Sequence, residues 1–249
     1  MFKFFTRKTT YVGLPEVLPF STDIHSHILA GIDDGSPDIE TSLQLVRGIY
    51  DLGIRKTVAT PHIIADMFRN TPETINEALA VLKAACVAEG INIEITAAAE
   101  YMLDDYFMNL LNEDSPLLCI HKNIVLTEQS YASGSSNLHE MCFSIMTKGY
   151  RPIMAHPERY YYYHHDFSQY GRLKDMGFLL QVNMLSLTGY YGKPAAKAAK
   201  YLFENDMVDL VGTDMHHHRH LSILQKKENL SLFHKHLDKK TYNVLSDFD

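Results

Sequence analysis

Cysteine is scarce in this chain: Cys86, Cys119 and Cys142 are the only three among 249 residues, and they form no Cys-x-x-Cys pair. An odd, sparse count excludes a disulfide framework and suits a reducing compartment, with the thiols expected as small buried hydrophobes. It excludes one enzyme class as well. A thiolate phosphatase closes its phosphate cradle with an arginine six residues past the cysteine, and Asn92, Val125 and Lys148 stand there instead. Long apolar runs are also missing, none approaching the ~18 residues of a membrane-spanning helix. The opening Met1-Phe2-Lys3-Phe4-Phe5-Thr6-Arg7-Lys8 turns polar too soon for a signal peptide. Residues 1–20 are therefore read as an exposed tail, with Phe2, Phe4 and Phe5 available for docking, ahead of one domain over 21–249. The protein is expected in the cytoplasm, without membrane insertion. Positive charge is short too: 23 Lys and Arg stand against 30 Asp and Glu, a net charge of -7. Nucleic-acid binders usually carry a basic surface, so no nucleic acid is expected as partner, which still leaves room for a local basic pocket. Oligomeric state leaves no mark on the sequence.

What is present is a regular alternation of strands and helices. Residues 20–28 read as a strand and 37–52 as a helix, with Ile39, Leu43, Val46, Ile49 and Tyr50 at helical spacing before Gly53. Further strands are expected at 54–60, 91–99, 123–127, 152–155, 178–182 and 208–212. Helices are expected at 71–89, 104–111, 138–148, 167–176, 194–205, 220–236 and 239–246. No linker rich in Pro, Gly or Ser and no internal repeat interrupts this order. The pattern argues an α/β fold, a parallel sheet wrapped by helices and either closed or open. The length matches the roughly 250 residues of a (β/α) barrel.

The residues that end these strands form a pattern of their own. His25 and His27 alternate on the first strand, so both imidazoles face one way. Asp33-Asp34-Gly35 turns the chain soon after. Later strands deliver His62, Glu100, Glu128, His156, Asn183, and Asp214 with His216. All but Asn183 can bind a divalent metal, and barrels build their sites at this end of the strands. Singly, each has an ordinary role: Glu100 as charge at a helix start, Asp214 as an N-cap, His62 as a cap after Pro61. Together they read as a metal site. Nitrogen and oxygen donors without thiolate favour Mn, Fe or Zn, and composition does not choose among them. So many ligands imply more than one ion. Two ions ~3.5–4 Å apart suit phosphate-ester hydrolysis, holding the attacking hydroxide and spreading oxyanion charge. Arg159, three residues beyond His156, carries the fork that clamps a phosphate.

Five blocks carry a resemblance: Asp23-Ile24-His25-Ser26-His27, Asp33-Asp34-Gly35, Ala59-Thr60-Pro61-His62, Ala155-His156-Pro157-Glu158-Arg159 and Asp214-Met215-His216. In this order they resemble the PHP (polymerase and histidinol phosphatase) superfamily. More narrowly, they resemble its bacterial manganese-dependent protein-tyrosine phosphatases of capsule and exopolysaccharide systems. The likeness runs from about Asp23 onward. It implies a single-domain, TIM-like distorted (β/α)7 barrel holding three divalent ions, manganese with iron or zinc as alternatives. It implies one ion on His25, His27, Glu100 and Asp214, and a second sharing Glu100 with Glu128 and His156. A third would take Asp34, His62 and His216, with Asp34 chosen over Asp33 by spacing. Arg159 matches the family's phosphate-binding arginine, and Arg219 is the nearest candidate for a second, its register blurred by His217-His218. His217, His218 and His220 are expected on a solvated loop. The run Tyr160-Tyr161-Tyr162-Tyr163 has no counterpart in the resemblance. Because it follows Arg159 directly, Tyr160 and Tyr161 are expected to rim the pocket as an aromatic wall, with ordinary core and surface tyrosines as the alternative.

The expected activity is hydrolysis of phosphotyrosine on proteins by metal-held hydroxide, with Arg159 and Arg219 steadying the non-bridging oxygens. The resemblance implies a tyrosine autokinase tail as substrate and a role in polysaccharide synthesis, a step that rests on analogy. A small-molecule phosphatase of the histidinol-phosphate kind would use the same fold and metals. A nuclease or amidohydrolase is a third option, which the extra donors Asp34, His62 and His216 speak against. A non-catalytic metal-binding scaffold is the rival outside enzymology, and an intact donor set with Arg159 argues against it.

Overall fold

The computed structural model describes residues 16–248. β1 (Thr22–Ser26) leads through a polar turn to α1 (Ile39–Asp51), which Asp38 caps by accepting the Thr41 N–H at 2.8 Å. α1 buries Leu45, Val46 and Ile49 on one face. β2 (Lys56–Ala59), β3 (His62–Ile64) and β4 (Phe68–Arg69) precede α2 (Pro72–Ala88). There Thr71 and Thr74 exchange side-chain and backbone bonds, and Pro72 sits in the first turn, where its missing N–H costs nothing. Then come β5 (Glu94–Ala97), β6 (Glu100–Met102), α3 (Asp105–Asn112), β7 (Ile124–Glu128), α4 (Leu138–Thr147) and β8 (Arg151–Ala155). The chain ends with α5 (Ser168–Met176), β9 (Leu179–Asn183), α6 (Met184–Leu187), α7 (Lys193–Glu204), β10 (Leu210–Gly212), α8 (His218–Leu224) and α9 (Lys227–Leu237).

Strand pairing is parallel save for the β3–β4 hairpin, in the orders β1-β2-β5 and β10-β9-β8-β7-β6-β3-β4. β2 and β3 are one course of chain broken at Thr60-Pro61, since proline has no N–H for the ladder. β5 and β6 are likewise one course, broken at Ala98-Ala99. Pairing carries on across both breaks, Ala98 N donating to Ala59 O and Glu100 N to Pro61 O. On the far side Ser26 bridges Met215 in parallel, with Asp214 N on His25 O and His27 N on Met215 O, both at 2.8 Å. The strands thus fall into seven courses that return on themselves, a distorted (β/α)7 ring.

Inside the ring Ile24, Val58, Ala98, Ile124, Leu126, Ile153, Ala155 and Leu210 form one buried cluster, and Leu245 and Phe248 pack against it. A larger core, with Leu45, Ile49, Leu82, Cys142 and Leu202, lies between strands and helices. Along β7, β9 and β10 the inward face is apolar first and polar at or just past its carboxyl end. β7 runs Ile124, Leu126, Glu128; β9 runs Leu179, Gln181, Asn183; β10 runs Leu210, Gly212 and then Asp214. The site therefore sits at that end.

Several expectations shift. Of the tail placed over residues 1–20, Phe2, Phe4 and Phe5 lie outside the described residues, while Leu18 and Phe20 are buried in the core. His62 and Glu100 open short second strands instead of closing the first ones. The single helix expected over 220–236 is two, parted at Lys226, whose extended backbone (φ -67°, ψ 128°) starts α9. Residues 239–246 yield no α-helix, only a 3-10 turn at Leu245–Phe248. Among the described residues no helix is long and apolar enough to cross a membrane.

Candidate metal centre

β1 carries a bulge: Asp23 pairs with Thr57 and Ser26 with Ala59, three steps opposite two. The extra residue lets the neighbours Ile24 and His25 both turn inward, Ile24 into the apolar cluster and His25 toward Gln181 and Glu100. Two glycines make room for the histidines. A Cβ on Gly212 would sit 2.7 Å from the His25 Cβ, and one on Gly35 would sit 2.1 Å from the His27 carbonyl oxygen.

A relay of amides fixes what the rings present. The Asp214 carboxylate only accepts, so Asn183 turns Nδ2 to its Oδ2 at 2.6 Å. Asn183 Oδ1 then takes Gln181 Nε2 at 2.9 Å, which leaves Gln181 Oε1 to accept from His25 Nδ1 at 2.8 Å. His27 Nδ1 likewise donates to Asp33 Oδ2 at 2.7 Å and His216 Nδ1 to the Asp214 carbonyl at 2.9 Å. All three rings therefore turn Nε2 toward the centre.

Around those nitrogens the carboxylates close in. His25 Nε2 and His27 Nε2 are 3.2 Å apart, with Glu100 Oε2 at 3.1 and 3.3 Å and Asp214 Oδ1 at 3.4 Å from each. Glu100 Oε1 meets His156 Nε2 at 3.0 Å. Asp34 Oδ1 lies 3.5 Å from His62 Nε2 and 3.4 Å from His216 Nε2. Glu128 Oε1 is 2.9 Å from His62 Nδ1, an ion-pair contact in which both atoms are buried without a well-formed hydrogen bond. Four overlapping groups result, each with donor atoms within 4.8 Å: His27-Asp34-His62-His216, His25-His27-Glu100, His25-His156-Asp214 and His62-Glu100-Glu128. The nine donor residues read from the sequence all fall in these groups. Asp33 does not, being turned behind His27. Imidazole nitrogens and carboxylate oxygens crowded this closely in a buried space are what divalent cations satisfy, so these residues fit the ions that the resemblance implies.

The field in the cage calls for positive charge. Burial opposes ionisation of every group here. At His27 that is outweighed by Asp33, Asp214 and Glu100, which hold the ring well above its ordinary pKa. At His62, burial is outweighed chiefly by Glu100, and the value rises to about 9. Burial also resists the charge on Glu100 and Asp214, yet the neighbouring imidazoles keep both well below the usual carboxylate range. Burial and the Glu100 charge push Glu128 up, and burial lowers His156 to about 4. His156 follows the inward Ala155 directly and would point outward in a continued strand; its left-handed φ of 35° turns it in. Asp214 is left-handed too, at φ 50°. Such backbone costs on the order of 1–3 kcal/mol per residue.

The donors open onto a cavity of about 290 Å3. Seven of the nine line it, with His25 and His27 behind them, and Arg159, Tyr131, Tyr190, Tyr191, His217 and His220 complete the wall. Arg159 Nη1 donates to Asp214 Oδ2 at 2.7 Å, its guanidinium 5.0 Å from the Tyr131 ring and 4.1 Å from the Tyr191 ring. Arg219 is not in the lining; it is exposed, over the Tyr190 ring at 5.3 Å. Neither Tyr160 nor Tyr161 forms the aromatic wall. Tyr160 is fully buried behind His156, Tyr161 faces solvent, and the wall comes from Tyr131, Tyr190 and Tyr191. His220 is not on a solvated loop either: it is buried, its Nδ1 is 3.0 Å from the Asp214 carbonyl, and burial lowers its pKa to about 3. His217 and His218 are exposed, yet they start α8 instead of lying on a loop, and His217 lines the cavity. Gln181 escaped the sequence reading, and Asn183 was placed at its strand end without a role, although their i, i+2 spacing on an inward strand face was visible.

A ring of parallel strands whose carboxyl ends carry this cage of donors beside an arginine defines a metal-binding protein of the (β/α)-barrel class. Residues 21–246 match the model of the CpsB/CapC family, capsular polysaccharide synthesis, and the chain belongs to that family. Tyrosine-protein phosphatase CpsB of Streptococcus pneumoniae is 32% identical over 201 residues, covering 78% of this chain and 82% of that protein. Tyrosine-protein phosphatase YwqE of Bacillus subtilis (strain 168) is 28% identical over 194 residues, with 78% and 76% covered. The fold also matches one of the crystal structures of YwqE and CpsB, described as unique metal-dependent tyrosine phosphatases. The TM-score is 0.79 at 25% identity, with 88% of each chain covered. A lactonase from Listeria monocytogenes, at 15% identity and a TM-score of 0.51 over 89% of this chain and 92% of its own, shares the fold alone.

Proposed function

We propose that the chain is a metal-dependent protein-tyrosine phosphatase of capsular polysaccharide synthesis. Its natural substrate on this reading is the phosphotyrosine-bearing tail of a tyrosine kinase, met in the cytoplasm. One observation carries the proposal: the Arg159 guanidinium opens onto the same cavity of about 290 Å3 as seven donor residues, so phosphate and divalent ions meet in one small space. His25, His27, Glu100 and Asp214 would hold one ion, Glu100, Glu128 and His156 a second, and Asp34, His62 and His216 a third, with manganese the expected metal. Bound there, the ions would lower the pKa of water and offset charge on the phosphoryl oxygens.

The chain's own groups do the rest. Arg159 offers its fork to the non-bridging oxygens, where charge grows in the transition state. Its bond to Asp214 and the flanking rings of Tyr131 and Tyr191 keep the fork aimed. Tyr131, Tyr190 and Tyr191 give the incoming tyrosyl ring an aromatic surface. The departing phenolate has a pKa of ~10 and needs little help from an acid, and His220, held neutral by its burial, gives none. The cavity is at the low end of the ~300–1,000 Å3 typical of ligand pockets. It suits one phosphorylated side chain with the rest of the polypeptide outside.

Protein reloaded with Mn2+ should hydrolyse phosphotyrosine peptides and stop when chelator is added, and an anomalous-scattering map should show three ions. A wide preference for histidinol phosphate in kcat/KM, or turnover indifferent to chelator, overturns the proposal.

A further inference from the structure

Four consecutive tyrosines follow Arg159, and none of them lines the cavity. Their hydroxyls converge on one short loop instead. Gln129 donates its backbone N–H to Tyr160 Oη at 2.9 Å and its side-chain Nε2 to Tyr163 Oη at 2.7 Å. Tyr161 Oη donates to the Ala132 carbonyl at 2.9 Å, and Tyr162 Oη to the Ser130 carbonyl at 3.1 Å. Residues 129–132 receive every one of them.

That loop leaves β7 directly after Glu128 and carries Tyr131. The Tyr131 ring lies 5.0 Å from the Arg159 guanidinium and stacks on His156 at 5.8 Å. The rings of the run are in file with it: Tyr162 stacks on Tyr160 at 5.5 Å, and Tyr160 lies 5.4 Å from Tyr131. An aromatic column therefore connects the outer tyrosines to the phosphate-binding arginine. The loop's other bonds are local: Ala132 N–H to Ser130 Oγ at 3.1 Å, Ser135 N–H to Gln129 Oε1 at 3.2 Å and Ser135 Oγ to Asn137 Oδ1 at 2.5 Å, while Tyr131 Oη lies 3.4 Å from His156 Nδ1. From 130 to 137 the loop reads Ser-Tyr-Ala-Ser-Gly-Ser-Ser-Asn, with Tyr131 its one large side chain. Such a composition buries little and opens readily unless bonded from outside.

We propose that Tyr160–Tyr163 is a clasp that fixes this loop so that Tyr131 braces Arg159, making the clasp and Tyr131 positioning residues for phosphate recognition. The inference rests on Arg159 being the phosphate-binding group of the function proposed above.

The test is Tyr161→Phe with Tyr162→Phe, which removes two hydroxyls and leaves every donor and Arg159 in place. In the Mn-loaded variant, amide exchange across residues 130–136 should accelerate by roughly tenfold or more. The Kd for inorganic phosphate and the KM for a phosphotyrosine peptide should each rise about five- to thirtyfold, roughly fivefold per lost bond, with kcat within about threefold and metal content unchanged. Gly134→Ala attacks the clasp from the loop side, since its Cβ would meet Tyr162 Cε2 at 3.2 Å and press the ring aside. It should shift Kd and KM in the same direction by less. Phosphate affinity and KM within about twofold of wild type in the double variant, against the fivefold expected per bond, overturn the clasp. So does weaker phosphate binding without faster exchange in the loop. Wild-type protein that never turns over phosphotyrosine refutes the phosphatase reading instead, and exchange and phosphate affinity still judge the clasp.

Discussion

Removing the Arg159 side chain should separate phosphate recognition from metal retention. Its guanidinium holds Asp214 Oδ2 at 2.7 Å, and that oxygen keeps a second partner, Asn183 Nδ2, at 2.6 Å. The other oxygen, Oδ1, faces His25 and His27 at 3.4 Å and has no bond to Arg159. Arg159→Ala therefore leaves Asp214 oriented and the cage assembled, and deletes only the fork that meets the phosphoryl oxygens. A preorganised donor in such a place is worth ~3–4 kcal/mol, so kcat/KM should fall on the order of 10²–10³-fold. Arg159→Lys keeps the charge but not the fork or the flat stacking between Tyr131 and Tyr191, and should recover no more than about a tenth of the lost rate. The assay pairs initial rates on a phosphotyrosine peptide at saturating Mn2+ with metal analysis of the same samples. Metal lost along with activity, or kcat/KM within about fivefold of wild type against the loss expected of a missing donor, would show that Arg159 serves Asp214 and not the substrate.

Adjacent aspartates should fail in different ways. Asp33→Ala leaves the buried His27 Nδ1–H and the Gly35 N–H without their acceptor. Metal affinity should drop ~10–100-fold, and the chelated protein should lose ~1–3 kcal/mol in urea unfolding. Asp34→Ala, whose side chain is 56% exposed, should change that stability by less than ~0.5 kcal/mol while removing one ion from the stoichiometry; equal losses in the two variants would refute the distinction. Glu158 is buried, its Oε1 accepting from Asn183 N at 3.0 Å and Ser186 Oγ at 2.6 Å while Oε2 has no partner. Burial pushes its pKa from 4.5 to about 7. Between those values the native state holds a proton that the unfolded chain has released, so stability falls as pH climbs through the interval. Chelated Glu158→Gln should match wild type near pH 4 and exceed it at pH 8 by ~1–3 kcal/mol. A difference that does not change with pH would sink the argument.

Donors such as Glu128 were legible because two regularities coincide in this fold, whereas His25 and His156 face inward only through a bulge and a left-handed residue. On a strand with one inward face, alternation alone tells which residue ends that face, as Ile124 and Leu126 do for Glu128. In a parallel ring all those ends lie on the same side. What escaped needs more than alternation to assign. The amide relay through Gln181 and Asn183 depends on which atoms of β9 face Asp214, and no spacing encodes that. Tyr190 and Tyr191 reach the cavity from a loop with no period to read. The tyrosine run misled for a geometrical reason. Pro157–Arg159 and Tyr161–Tyr163 are separate 3-10 turns joined at Tyr160, whose extended backbone (φ -77°, ψ 111°) breaks the run and leaves its ring behind His156, away from the cavity.

The same cage that binds is a burden to the fold. Glu100 and Glu128 are buried close enough that the charge of one raises the pKa of the other, and His156 and Asp214 hold left-handed backbone that a relaxed strand end would avoid. Glu128 Oε1 and His62 Nδ1 face each other as a buried ion pair without a well-formed hydrogen bond. The apolar clusters inside and outside the ring must offset this in the ion-free chain. Ions that bind the assembled donors and not the unfolded ones would add stability by mass action. Folding and metal occupancy are then one equilibrium, and a substitution that relaxes the cage should stabilise the chelated protein while weakening its hold on the ions.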